Sequence, residues 1–287
     1  MTIQWFPGHM ARARRQVQES LKLVDVVLEL LDARIPASSR NPMLGEILGN
    51  KPRLVVLNKS DLADPGGTAA WQGYFGSRGT PSVTVDSVQG KGVGGIAPAV
   101  EKLAAPRLQS VRAAGRRPRK ARCMVLGIPN VGKSALINRL ARQKAARTGD
   151  RPGVTRGPQW IRLAADLELL DTPGILWPKF EDPEVAYRLA VTGAIKEDVF
   201  DLDDVTITLI SWLMENRPAA LAERYRLTGL PAGPLLCLNM IGAARGFYAG
   251  GGGVDLHKAA VNVLKEFREG KLGRFTLELP VQQVKNT

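Results

Sequence analysis

Residues 127–134 read GIPNVGKS, a fit to G-x-x-x-x-G-K-[ST], with the apolar run ARCMVLG (121–127) before it and the helical pattern GKSALINRLARQ (132–143) after it. No other feature limits the possible folds as strongly. A glycine-bearing turn between a strand and a helix points backbone amides inward at phosphates, and the helix N-terminus favours the same anions. Gly127 and Gly132 let the backbone curl, Lys133 reaches the β- and γ-phosphates of a bound nucleotide, and Ser134 offers its hydroxyl to Mg²⁺. Asn130, Val131 and Ala135 belong to the same nucleotide-binding stretch. A strand, loop and helix joined this way call for a parallel sheet with helices on both faces.

The rest of the first part of the chain agrees. VDVVLELLD (24–32), RLVVLN (53–58), QWIRLAA (159–165) and LELLD (167–171) read as strands, and residues 11–22 and 94–105 as helices. Beyond Pro178 the strand signal fades. DLHKAAVNVLKEFREG (255–270) places Leu256, Ala260, Val263, Leu264 and Phe267 on one helical face, with Asp255 as cap and Gly270 as stop. The expected architecture is an α/β domain with a mainly parallel sheet over residues 1–177 and a small all-α C-terminal domain over 178–287. AGGGGV (249–254) reads as a flexible joint rather than a dinucleotide fingerprint, since no strand precedes it in the required arrangement.

LLDTPG (169–174) supplies the partner of the phosphate loop. Asp171 ends an apolar strand, where a carboxylate holds Mg²⁺ through water, and the Gly174 amide faces a γ-phosphate. Thr155, in the loop RPGVTRG, completes the Mg²⁺ shell; its alternative reading is a turn residue. The metal set is therefore Ser134, Thr155 and Asp171.

VVLNKSDL (55–62) is a buried strand breaking into a polar turn. Guanine presents its N1–H and N2 amino group side by side, so one carboxylate, Asp61, accepts both, whereas adenine offers no such pair. Asn58 braces neighbouring loops, Lys59 lies over the base plane, and the Ser87 or Val88 amide reaches guanine O6. The order is unusual, because this base grip precedes the phosphate grip by about 70 residues. Sheet folds with adjacent ends tolerate circular permutation, so the segment Pro106 to Arg122 joins the former termini. The chain then leaves the first domain directly after DTPG, which hangs the helical part from the loop that senses the γ-phosphate.

Charge is uneven. Residues 178–287 hold 13 Lys+Arg against 14 Asp+Glu, leaving 27 against 13 in residues 1–177, a split of −1 and +14. Such a bias points to a polyanion, nucleic acid before membrane. The densest run, PRLQSVRAAGRRPRKAR (106–122), carries seven basic residues and no acid; its alternative reading is a solvated linker. Apolar runs such as VDVVLELL (24–31) and LLCLNMI (235–241) fall short of the roughly 20 residues that span a bilayer, so no membrane partner is expected. The N-terminus lacks the apolar run of a secretory signal, and its arginines leave an organelle transit peptide as the alternative. Cys123 and Cys237 lie in apolar runs and read as core residues of a chain in a reducing compartment.

Through IQWFPGHMARA (3–13), DARIP (32–36), NKSDL, GIPNVGKS, RPGVT, DTPGIL and FREGKLGRFTLE (267–278), the sequence resembles the ribosome biogenesis GTPase A family of circularly permuted GTPases over almost its whole length. The resemblance implies GTP/GDP and Mg²⁺ as cofactors and GTP hydrolysis as the activity. It implies a cytoplasmic factor of large (50S) subunit assembly, monomeric away from the ribosome. Its partner is the subunit precursor, rRNA and ribosomal proteins, which stimulates turnover. Ile175 stands where many such hydrolases carry a water-orienting Gln. The resemblance offers His9 as the catalytic group instead, and Asn130 as a residue that helps place K⁺. A lone His near the N-terminus also has a purely structural reading. Two other functions stay open from residues alone. One is a GTP-dependent RNA-binding switch with negligible turnover, which Ile175 favours; the other is a P-loop phosphotransferase, which NKSD disfavours.

Overall fold

The computed structural model describes residues 15, 17–117, 119–145, 159–163, 167–171 and 182–281. His9, Thr155 and Gly174 lie outside these residues, as does the side chain of Asp171. The described chain forms two compact units, one from residues up to 171 together with 276–281, the other from 182–275.

The first unit is a six-stranded sheet in the order β3-β2-β1-β4-β6-β5. Its strands are β1 (Val26–Asp32), β2 (Arg53–Asn58), β3 (Ser82–Thr84), β4 (Ala121–Leu126), β5 (Gln159–Arg162) and β6 (Leu167–Asp171). Every pairing is parallel except β5 with β6. β1 is buried along its full length, as its near-continuous apolar sequence requires of a strand covered on both faces. Glu29, within it, is held by Arg40 at 2.9 Å and Arg53 at 3.7 Å. With the strand count restarted at β4 the order becomes 6-5-4-1-3-2. Each strand of the phosphate-loop half thus keeps its neighbours although the chain enters the sheet at β1. The sheet has the order expected of a circularly permuted chain, because pairing depends on which strands meet and not on where the chain begins.

Helices α1 (Met43–Leu48), α2 (Pro65–Ser77), α3 (Ile96–Ala113) and α4 (Lys133–Ala145) connect the strands. α2 starts where Asp64 accepts from the Gly67 amide and Pro65 takes the first turn, where its missing N–H costs nothing. The linker expected from Pro106 onward needs correction, because α3 runs through Pro106 to Ala113 and β4 starts at Ala121. Ile96, Val100 and Ala104 bury one face of α3, and the Leu, Arg, Gln and Ala that follow are good helix formers. Three of the seven basic residues in that run serve the fold. Asp25, buried just before β1, accepts through both oxygens from Arg119 at 2.6 and 2.7 Å and meets Arg107 at 3.2 Å. Arg122 pairs with Glu168 at 3.0 Å and lies over the Trp160 ring. Arg112, Arg116 and Arg117 are exposed.

The second unit is helical. It holds α5 (Pro183–Val191), α6 (Leu202–Asn216), α7 (Pro218–Tyr225), α8 (Pro234–Ala244) and α9 (Leu256–Arg268). Asp182, Asp201 and Asp255 cap α5, α6 and α9 through their side chains. α9 buries Ala260, Val263, Leu264 and Phe267, while Glu266 draws in Arg224 at 2.6 Å and Arg245 at 3.1 Å. The glycine run 249–254 is a closed turn and not a loose joint, since Tyr248 and Val254 form a bridge and the Ala249 amide donates to Gly253. Cys123 and Cys237 are free and buried. No helix among the described residues is long and apolar enough to cross a membrane.

Candidate functional site

Parallel pairing puts the C-terminal ends of β2, β1 and β4 on one edge of the sheet, where open α/β sheets take their ligands. The register sets Asp32 beside Asn58 and Glu29 beside Leu126, so the NKSD turn and the phosphate loop emerge together. Asn58 joins them. Its side-chain amide donates to the Val131 carbonyl at 2.8 Å, and its Oδ1 accepts from the Ser87 amide at 3.2 Å and hydroxyl at 2.7 Å. One buried side chain thereby ties its own turn to two loops that lie 73 and 29 residues away in sequence. Gly132 makes the approach possible: its φ is +102°, and a Cβ there would stand 2.3 Å from the Asn58 amide nitrogen.

Within the loop, Lys133 Nζ donates to the carbonyls of Gly127 at 2.9 Å and Ile128 at 2.7 Å. Asn130 adopts φ +57°, in the left-handed region where Asn is among the least strained side chains. Ser134 is exposed in the first turn of α4, with Ala135 beside it half-buried. β6 sets the Asp171 backbone next to the central strands, with Met124 of β4 paired to Leu170. The donors in question are hydroxyl and carboxylate oxygens, the chemistry that suits a hard cation such as Mg²⁺. Among the described residues no cluster of three or more His, Cys, Asp or Glu forms a metal centre.

Beyond β2, Asp61 is exposed on the turn after Lys59, whose φ is +59°. Lys59 Nζ meets Asp32 at 3.0 Å. Burial alone would raise the Asp32 carboxyl, but the charges of Arg34 and Lys59 hold it far below the usual carboxylate range. The Ser87 and Val88 amides, expected to reach guanine O6, are both engaged: Ser87 with Asn58, and Val88 with Asp86 Oδ1 at 2.8 Å. The Gln89 amide shares that Asp86 oxygen at 2.9 Å, and Arg139 of α4 donates to the Val88 carbonyl. Sequence reasoning does not reach Asp32, Arg34 and Asp86 as parts of the site. The available signal for the first two is the DARIP run, charged residues at the end of an apolar strand. His257 is exposed and pairs with Asp203 at 2.9 Å, within the helical unit.

Sheet order, phosphate loop and NKSD turn together define a circularly permuted P-loop GTP hydrolase. A model of the 50S ribosome-binding GTPase family matches residues 122–221, starting in β4 where an unpermuted chain would begin. Ribosome biogenesis GTPase A of Priestia megaterium is 52% identical over 98% of this chain and 98% of its own. That of Bacillus cereus is 51% identical over 98% and 95%. A GDP-bound structure of Thermotoga maritima YlqF superposes with a TM-score of 0.63 at 25% identity, covering 93% of this chain and all of that one. The chain belongs to the ribosome biogenesis GTPase A family. It is a guanine-nucleotide-binding GTP hydrolase of ribosome assembly.

Proposed function

We propose that this GTPase assists assembly of the large (50S) subunit by binding rRNA in the precursor particle and hydrolysing GTP when docked. The observation that carries the rRNA part is the basic end of α3 and the turn after it: Arg112, Arg116 and Arg117 stand exposed on a GTPase segment of net charge +14. The description of the matching family, a 50S ribosome-binding GTPase, supports the choice of subunit. The protein acts in the cytoplasm, as a monomer away from the particle.

In this reading Asp61 accepts guanine N1–H and N2, Lys59 lies over the base, and Lys133 exchanges the Gly127 and Ile128 carbonyls for β- and γ-phosphate oxygens. Asn130, Val131, Gly132 and Ala135 line the phosphates, and the Gly174 amide faces the γ-phosphate. Ser134, Thr155 and Asp171 would hold Mg²⁺, which when bound neutralises charge gathering on the phosphate oxygens. His9 orients the attacking water in place of a Gln, since position 175 is Ile. Asn130 is the residue we assign to K⁺.

Replacing Arg112, Arg116 and Arg117 with Gln tests the docking surface. Particle binding should weaken and its salt slope flatten by about one unit for each phosphate that is no longer neutralised, while intrinsic GDP affinity holds. Unaltered binding with the same salt slope would exclude this surface as the docking site. Arg119 is unsuited to the test, because removing it takes two charged hydrogen bonds from the buried Asp25 carboxylate.

A further inference from the structure

The base grip rests on a buried network that neither the phosphate loop nor the NKSD turn contains. Asp32 closes β1 and is 2% exposed. Its oxygens accept from Arg34 at 2.9 and 2.7 Å, while Oδ2 also meets Lys59 at 3.0 Å. Its own amide donates to Ser39 Oγ at 3.0 Å, and the Ile35 amide returns to the Asp32 carbonyl at 2.9 Å. Residues 32–39 are thus one tight turn whose buried carboxylate aims the Lys59 ammonium.

That turn is gripped in its middle by the end of the chain. The Leu277 amide donates to the Arg34 carbonyl at 2.8 Å. Glu278 takes the Ser38 amide at 2.7 Å and the Ser38 hydroxyl at 2.5 Å, and its carbonyl accepts from Trp71 Nε1 at 2.9 Å. Gly67 leaves room for the segment, since a Cβ there would sit 2.8 Å from the Thr276 side chain. By sequence this segment falls within the helical part, yet its hydrogen bonds are to the GTPase unit.

We propose that Asp32 is the positioning residue of the guanine grip, and that the C-terminal segment, through Leu277 and Glu278, sets that position by clamping residues 34–38. Chain residues leaving the helical unit at Phe275 therefore adjust how firmly the base is held. The inference rests on the reading of Lys59 and Asp61 as guanine ligands. A purely structural seal over Trp71 would predict something different, since loss of the seal would loosen the whole unit and not the base end alone.

The test compares Mg-GDP with Mg-tripolyphosphate, a ligand that has phosphates and no base, on the full chain. Glu278→Ala and Ser38→Ala should each weaken Mg-GDP binding about three- to tenfold and leave Mg-tripolyphosphate binding unchanged. In a Lys59→Ala background the same changes should add nothing, because their effect runs through Lys59. Asp32→Asn should behave alike if it folds, but it leaves the buried Arg34 charge without its partner; the Glu278 variant does not share that risk. If Lys59→Ala itself leaves GDP binding intact, the guanine reading fails and the proposal with it. The proposal alone is overturned if Lys59→Ala weakens GDP binding while Glu278→Ala does not. An equal loss for both ligands, or a full further loss in the Lys59→Ala background, also overturns it.

Discussion

Among single residues, Asp61 is the one to which the proposed function assigns specificity, through one carboxylate that would face two donors. Asp61→Asn turns half of that acceptor into a donor. Charged hydrogen bonds of this kind are worth about 1.5–3 kcal/mol, so GDP affinity should fall on the order of 10- to 100-fold. Xanthine carries an oxygen where guanine has its amino group, so the variant should gain relative affinity for it. Direct binding of GDP, XDP and ADP checks this, and an unchanged GDP preference would withdraw the guanine assignment. The residues of the two grips are readable because each sits in a short pattern with its own chemistry at a strand end. The roles of Asp25 and Asp32 are not, because the partners that define them are distant in sequence. Arg119 lies 94 residues beyond Asp25 and closes on it only in the folded sheet, and Lys59 reaches Asp32 only because β1 and β2 end side by side. In sequence Arg119 belongs to a run of like charges, so a fold-holding residue looks identical to an exposed one.

Elements are legible in proportion to how fully they are buried on two faces. β1, β2 and β4 announce themselves by mostly apolar runs bounded by turns, broken only by Glu29 in β1 and Arg122 in β4. α2, with glycines at positions 66, 67, 73 and 76, has no clean apolar stripe; only the Asp64 and Pro65 start signal marks it. β3 is three half-buried residues, too short for any period to show. Pro106 reads as a stop, but at the solvent side of α3 one forfeited backbone bond is tolerated because flanking residues favour helix. For α4 and its loop, Lys133→Ala and Ser134→Ala should each impair Mg²⁺-dependent GTP binding while the melting temperature changes little, since Ser134 is exposed and the Lys133 ammonium donates to carbonyls of the loop itself. Calorimetry with and without Mg²⁺ checks the pair. Normal binding by both variants would sink the phosphate-loop assignment.

For the whole molecule, permutation has a physical consequence. The sheet keeps its neighbours, but the helical unit now follows the strand that ends at Asp171, and the last described residues hydrogen-bond to the turn after β1 in the first unit. Stability should also carry the signature of its buried carboxylates. For Asp25, burial would raise the carboxyl, but Arg119 and the Arg122 amide hold it below its ordinary value. Arg34 and Lys59 do the same for Asp32, and Arg224 for Glu266, each against burial. Groups with depressed values contribute stability that is complete above their unfolded values, about 3.9 for Asp and 4.3 for Glu, and lost as pH falls through the folded ones. Denaturant titrations should therefore show nearly constant stability from pH 7 to about 5 and a fall below about 4. A large loss already complete by pH 5 would contradict these pairs. Whether the large subunit switches this GTPase on is decided by steady-state GTP turnover of the intact protein alone, with purified small subunits, and with purified large subunits. Turnover alone should be slow, roughly 10⁻⁴ to 10⁻² s⁻¹, unchanged by small subunits and markedly accelerated by large ones; equal rates under all three conditions would contradict a ribosome-triggered GTPase.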